Sequence, residues 1–166
     1  MVNQQVAPEQ KSVKKPELLS PAGTLKNMHY AFRYGADAVY AGQPRYSLRV
    51  RENSFSTLAA LQEGIETAHD LGKKFFLASN ILPHNRKVKT YMADLAPIID
   101  LKPDALIMAD PGLIMMVRER WPEVVIHLSV QANTMNFATV KFWQNIGIQR
   151  VILSRELSLD DIEEIR

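Results

Sequence analysis

Short apolar runs alternate with amphipathic stretches six times along this chain, and that rhythm leaves few folds open. The runs are ELLSP (17–21), AVYAG (38–42), KFFLASNI (74–81), ALIMAD (105–110), VIHLSVQ (125–131) and RVILSREL (150–157). Each is too short for a buried helix and is bounded by turn residues, so each is expected to be a strand. The stretches between them carry helical spacing. Leu25, Met28 and Phe32 recur at intervals of three and four before Gly35, and Leu58, Leu61, Ile65 and Ala68 do the same before Gly72. A third helix is expected over Lys87–Leu101, with Pro97 kinking it or ending it early. A fourth covers Gly112–Trp121 and stops at Pro122; a fifth covers Asn136–Ile146 and stops at Gly147. The last starts at Ser158, where Ser158 and Asp161 have capping-box spacing, and it is cut off at Arg166.

Strict alternation of this kind implies a parallel sheet with right-handed crossovers. The turn after the first strand, SPAGTLKN, has one glycine and no GxGxxG, which argues against a dinucleotide-binding open sheet. Polar residues stand instead at the C-terminal ends of the strands: Ser20, Asn80, Asp110, Gln131 and Glu156. That rim is where a (β/α) barrel places its chemistry. In the fifth run His127, Ser129 and Gln131 share one face and Ile126, Leu128 and Val130 the other, so the polar face is expected to point into a barrel. The fold class is therefore α/β, an incomplete TIM-type (β/α) barrel of six parallel strand–helix units over residues 16–166. About eight strands close such a barrel. The missing strands are expected either in a longer protein of which this is the N-terminal part or in a partner that completes the barrel.

Composition narrows the class further. Residues 1–15 are polar and aperiodic and are expected to be a disordered tail. They contain no apolar signal-peptide region, and no run of about eighteen apolar residues occurs, so neither a leader nor a membrane span is expected. With no cysteine in the chain, a cytoplasmic setting is expected, and disulfides and thiolate metal sites are excluded within it. A net charge of +2 is too small to argue for nucleic acid by itself.

Three segments could carry chemistry. The loop QPRYSLRVRENSF (43–55) holds Arg45, Arg49 and Arg51 interleaved with Tyr46 and Phe55. It is either an anion or RNA contact or a solvated loop with two rings tucked onto the barrel. NILPHN (80–85) offers Asn80 and His84 to orient a substrate or move a proton, unless His84 merely satisfies a loop carbonyl. The ends of strands four to six offer Asp110, which could simply cap a helix, then Gln131 and Asn133 as neutral hydrogen-bonding groups, then Arg155 and Glu156. No GxSxG, HExxH or P-loop is present, and His29, His69, His84 and His127 lack metal spacing. The residues alone define a barrel domain of unknown reaction.

PELLSPAGTLKNMHYAFRYGADAVYAGQPRYSLRVR (16–51), PDALIMADPGLI (103–114) and the run from His127 to Arg166 resemble the collagenase-like peptidase family, in particular its tRNA hydroxylation branch. The resemblance implies a (β/α) barrel that helps form 5-hydroxyuridine at the tRNA wobble position, with prephenate dependence and an iron–sulfur cluster. A sister branch hydroxylates ribosomal RNA, and other members carry the peptidase label. Family members continue past the equivalent of Arg166 through a cysteine-rich segment. Ser20, Tyr40, Arg45, Arg49, Asn80, His84, Gln131, Asn133, Arg155 and Glu156 match family motifs, and the resemblance implies tRNA and a small carboxylate as their partners. It assigns none of them a catalytic role.

Overall fold

The computed structural model describes residues 15–48 and 53–166, so the expected tail and Arg49 and Arg51 lie outside the described residues, apart from Lys15. The elements run β1 (Leu19–Pro21), α1 (Leu25–Arg33), β2 (Ala38–Gly42), α2 (Leu58–Asp70), β3 (Lys74–Ser79), α3 (Asn85–Ile99), β4 (Ala105–Met108), α4 (Pro111–Arg120), β5 (Ile126–Leu128), α5 (Phe137–Asn145), β6 (Arg150–Val151) and α6 (Leu159–Ile165). Six strands form one sheet in chain order, each pair parallel. This is the incomplete TIM-like barrel that the alternation predicts.

Alternate residues of each strand serve two cores, because successive side chains leave a strand on opposite faces. Val39, Ala41, Phe75, Leu77, Leu106, Met108, Ile126 and Leu128 join helix residues such as Met28, Leu61, Leu95 and Val117 in the larger core. Ala38, Phe76, Ala78, Ala105 and Ile107 form a smaller inner cluster with Leu19, Tyr40, Val125 and Ile152. His127 lies on this inner side, its ring edge-on to Phe76 at 4.7 Å between centroids. The phase expected for the fifth strand is therefore the one observed.

The differences from expectation that bear on the rim and the core are in β5, β6 and α3. β5 stops at Leu128 and passes into a 3₁₀ turn, Val130–Ala132, so Gln131 is not on a strand. The cause is local: the Ser129 hydroxyl accepts from the Gln131 amide at 3.3 Å, an alternative to the ladder. β6 is two residues long, and Arg155 and Glu156 lie in a turn just ahead of α6. α3 starts two residues before Lys87 and runs through Pro97 to Ile99. Pro97 removes one N–H from the helix ladder, and the helix ends two residues later.

At the N-terminal ends of the strands, Glu17 accepts from Lys74 Nζ at 2.7 Å and from Arg150 at 2.6 Å. One carboxylate thus ties the lead-in of β1 to the first residues of β3 and β6, drawing the first and last strands together.

Candidate functional site

Tyr40, Asn80 and Ser129 share the inner phase at the C-terminal rim. Tyr40 is in register with Phe76, Asn80 lies two residues past Ala78, and Ser129 two past His127. Asn80 Nδ2 donates to the Ser129 hydroxyl at 3.5 Å, and its Oδ1 accepts from the Leu48 amide at 3.3 Å. A single carboxamide therefore joins the loop after β2 to the turn after β5. Gln131 and Asn133 are exposed on that turn, and Asn133 adopts the left-handed conformation (φ 50°) that asparagine tolerates. Ser154 donates to the Glu156 carboxylate, beside the exposed Arg155. His84 is the N-cap residue of α3, is exposed, and makes no side-chain capping bond. Asp110 caps α4 by accepting from the Leu113 amide at 2.9 Å. Ser20 is in register with Val39, which puts it on the helix-facing side of β1 and off the inner rim.

The loop after β2 is pinned from below. Tyr46 and Phe55 are fully buried, so these rings anchor the loop and are not exposed stacking surfaces. The Tyr46 hydroxyl donates to Asp94 at 2.5 Å and lies 2.7 Å from the Thr90 hydroxyl, and its ring meets Tyr91 edge-on at 5.0 Å. Burial, and then the bond to Asp94, push the Tyr46 phenol above its ordinary pKa. Phe55 packs edge-on to Phe75 at 5.5 Å and lies against Gly64, where a Cβ would stand 2.6 Å from its ring. Arg45 sits in the left-handed region (φ 68°) and pairs with Asp94 at 2.8 Å. Lys87 Nζ donates to the Arg45 carbonyl at 2.7 Å. Asp94 thus organises the loop, and sequence reasoning missed it: a lone mid-helix carboxylate gives no sign of partners 48 and 49 residues away.

At the N-terminal ends of the strands the inward-facing His127 lies near the ion-paired Glu17, Lys74 and Arg150, a grouping that the sequence concealed. His127 is buried with Nδ1 unpaired, and burial, then the Arg150 charge, lower its pKa to about 4. The imidazole is therefore neutral at pH 7. Burial works to raise the pKa of Glu17, but bonds and charges from Lys74 and Arg150 outweigh it and the net shift is downward.

Among the described residues no group of three or more His, Asp or Glu side chains is placed to hold a metal ion. An iron–sulfur cluster is held by cysteine thiolates, and this chain has no cysteine, so its residues do not fit that cluster. Among the described residues no helix is long and apolar enough to cross a membrane.

Parallel strands in chain order, an outer layer of helices and a polar rim at the strand C-termini define a TIM-barrel-type domain. The model of peptidase family U32 matches residues 23–166, and the chain belongs to that family. It is 71% identical over 152 residues to tRNA hydroxylation protein P of Escherichia coli K12, covering 92% of this chain and 33% of that protein. The Haemophilus influenzae protein of the same name is 70% identical over 152 residues, with the same coverage. The chain thus spans about a third of the length of these curated relatives. In fold it resembles the U32 peptidase Mk0906, with a TM-score of 0.74 at 14% identity, over 97% of this chain and 68% of that one.

Proposed function

We propose that this chain forms the substrate-facing N-terminal part of a tRNA-hydroxylating protein that makes 5-hydroxyuridine at the wobble position. The observation that carries this reading is the 71% identity to tRNA hydroxylation protein P. The rim chemistry agrees with it. Asn80, Gln131 and Asn133 present neutral amides, each with donors and an acceptor, the groups that read the edge of an unstacked base. Prephenate, as the small carboxylate ligand, enters from the family resemblance, as does the iron–sulfur cluster, whose ligands must come from outside these residues. A cytoplasmic setting follows from a tRNA substrate.

The test is a chimera in which this chain replaces the matching third of the E. coli protein, expressed in a strain whose wobble-uridine hydroxylation has been abolished. Nucleoside mass spectrometry should show 5-hydroxyuridine restored, with Asn80→Ala lowering it about tenfold, as for loss of a hydrogen bond of about 1.4 kcal/mol. A folded, expressed chimera that restores none overturns the proposal. The family name also carries a peptidase reading. It is the weaker one, because the Ser79 hydroxyl pairs with Tyr91 and the Ser129 hydroxyl with Asn80 and the Gln131 amide, and although Ser154 donates to the Glu156 carboxylate, no histidine pairs with any of these serines among the described residues. Cleavage of gelatin by the chimera would restore it.

A further inference from the structure

The first turn of α3 carries charge of the wrong sign for a helix start. Unpaired N–H groups give a helix N-terminus about half a positive charge, so acidic residues belong there and cations are repelled. α6 obeys this with Asp160 and Asp161 in its first turn and a complete capping box. α4 obeys it with Asp110 as its cap and with Arg118 and Arg120 in its last turn. α3 inverts it. Arg86, Lys87 and Lys89 follow an N-cap, His84, that makes no side-chain bond; a first turn without acids is shared with α1, α2, α4 and α5, but three cations within the first five helical residues occur in α3 alone of the described helices. No Asp or Glu occurs from Asn80 to Ala93.

Packing does not explain these cations. All three are exposed. Lys87 holds the Arg45 carbonyl, but Arg86 and Lys89 have no hydrogen-bond or ion-pair partner among the described residues. At a spacing of three they share one helix face and stand side by side toward solvent. The nearest carboxylate along the helix, Asp94, is already engaged by Arg45 and Tyr46. The group is open and does not converge on a cavity, which suits an extended polyanion better than a small enclosed one. It begins six residues after Asn80, whose amide bridges the rim.

We infer that the N-terminal turn of α3 is a contact for the RNA phosphate backbone, with Arg86 and Lys89 meeting phosphates while the rim takes the base. This rests on the tRNA reading above and adds to it the surface along which the strand runs. Contacts of this kind position the nucleic acid without reading its sequence.

The test measures tRNA binding to the full chain by fluorescence anisotropy over a range of salt, with melting curves on the same samples. For the R86A/K89A double variant, affinity at low salt should fall roughly five- to tenfold. The slope of log K against log salt should shrink by about 1.4–1.8, as for two lost phosphate contacts. The melting temperature should hold or rise, because cations have left a helix N-terminus. R86E/K89E should weaken binding further at an equal or higher melting temperature. Unchanged affinity and slope in both double variants would overturn the inference, as would an unmodified chain that binds no RNA or prefers anionic lipid vesicles. Equal losses for tRNA and an unrelated RNA are expected of a backbone contact, whereas an unmodified chain that binds the unrelated RNA as tightly as tRNA would leave the contact standing while removing support for tRNA as the partner. Restored hydroxylation in the chimera with unaltered binding by the variants would do the reverse.

Discussion

Gln43 is 1% exposed, and neither atom of its amide has a hydrogen-bond partner. Its backbone N–H continues the ladder to Ala78 at 2.8 Å, so its side chain keeps the phase of Val39 and Ala41 and faces the helices. There it lines a cavity of about 280 Å³ with Arg45, Leu61, Asp94 and Pro97. A buried amide left unpaired costs about 1–3 kcal/mol. Gln43→Met keeps the length and removes the polar atoms, and it should raise stability by about 1–2 kcal/mol, read as a melting temperature higher by roughly 2–8 °C. A lower melting temperature would mean that the amide has a partner in solution. The sequence shows Gln43 only as the polar start of a loop. Arg45 shows the same limit: alone it looks free to grip a ligand, and only the folded chain brings Asp94 to it.

At the scale of single elements, periodicity located the strands and the first two helices because each buries one face, while stop residues and the Ser158 capping box marked the other α-helices. Lengths were harder to read, since local bonds decide them. β5 ends where the Ser129 hydroxyl captures the Gln131 amide, and β6 ends at Val151, four residues before the turn at Arg155 that leads into the Ser158 capping box. Asp110 stands at the rim and caps α4. If capping is its role, Asp110→Ala should cost about 1 kcal/mol by urea unfolding, whereas Asp110→Asn, also a good cap, should be nearly neutral. In the chimera both should leave hydroxylation at the level their folded fraction allows. A collapse of activity with Asp110→Asn at full stability would place Asp110 in the chemistry instead.

The whole molecule should weaken in acid in two phases. His127 titrates near 4 when folded and near 6.5 when unfolded, so between those values the unfolded chain binds more protons. The stability from its neutral form is complete above about pH 6.5 and is lost as pH falls toward 4, a change of roughly 3 kcal/mol at 1.36 kcal/mol per unit. The pKa of Glu17 is lowered on folding, so its share is present above its ordinary value of 4.5 and disappears only in stronger acid. Urea unfolding from pH 7.5 to 3.5 should show both, and His127→Phe should abolish the first and keep the second. An unaltered profile in that variant would assign the acid sensitivity elsewhere. Of this group the sequence showed only that His127 faces inward, because Glu17, Lys74, His127 and Arg150 belong to four different strand–helix units and meet only in the folded half-barrel.

That meeting has a consequence for how the chain is made. Glu17 and Arg150 are 133 residues apart, whereas Lys74 follows Glu17 by 57. On a ribosome adding about 5–20 residues per second, Glu17 waits roughly 7–27 s for Arg150 to be synthesised. During that interval Lys74 is the one cation of the pair already present, so β1, β2 and β3 can assemble around half of the clamp. Until the sixth strand arrives Glu17 has Lys74 alone as its ion-pair partner, and a ribosome pausing between Lys74 and Arg150 would leave the inner face of a three- to five-stranded sheet open to other chains.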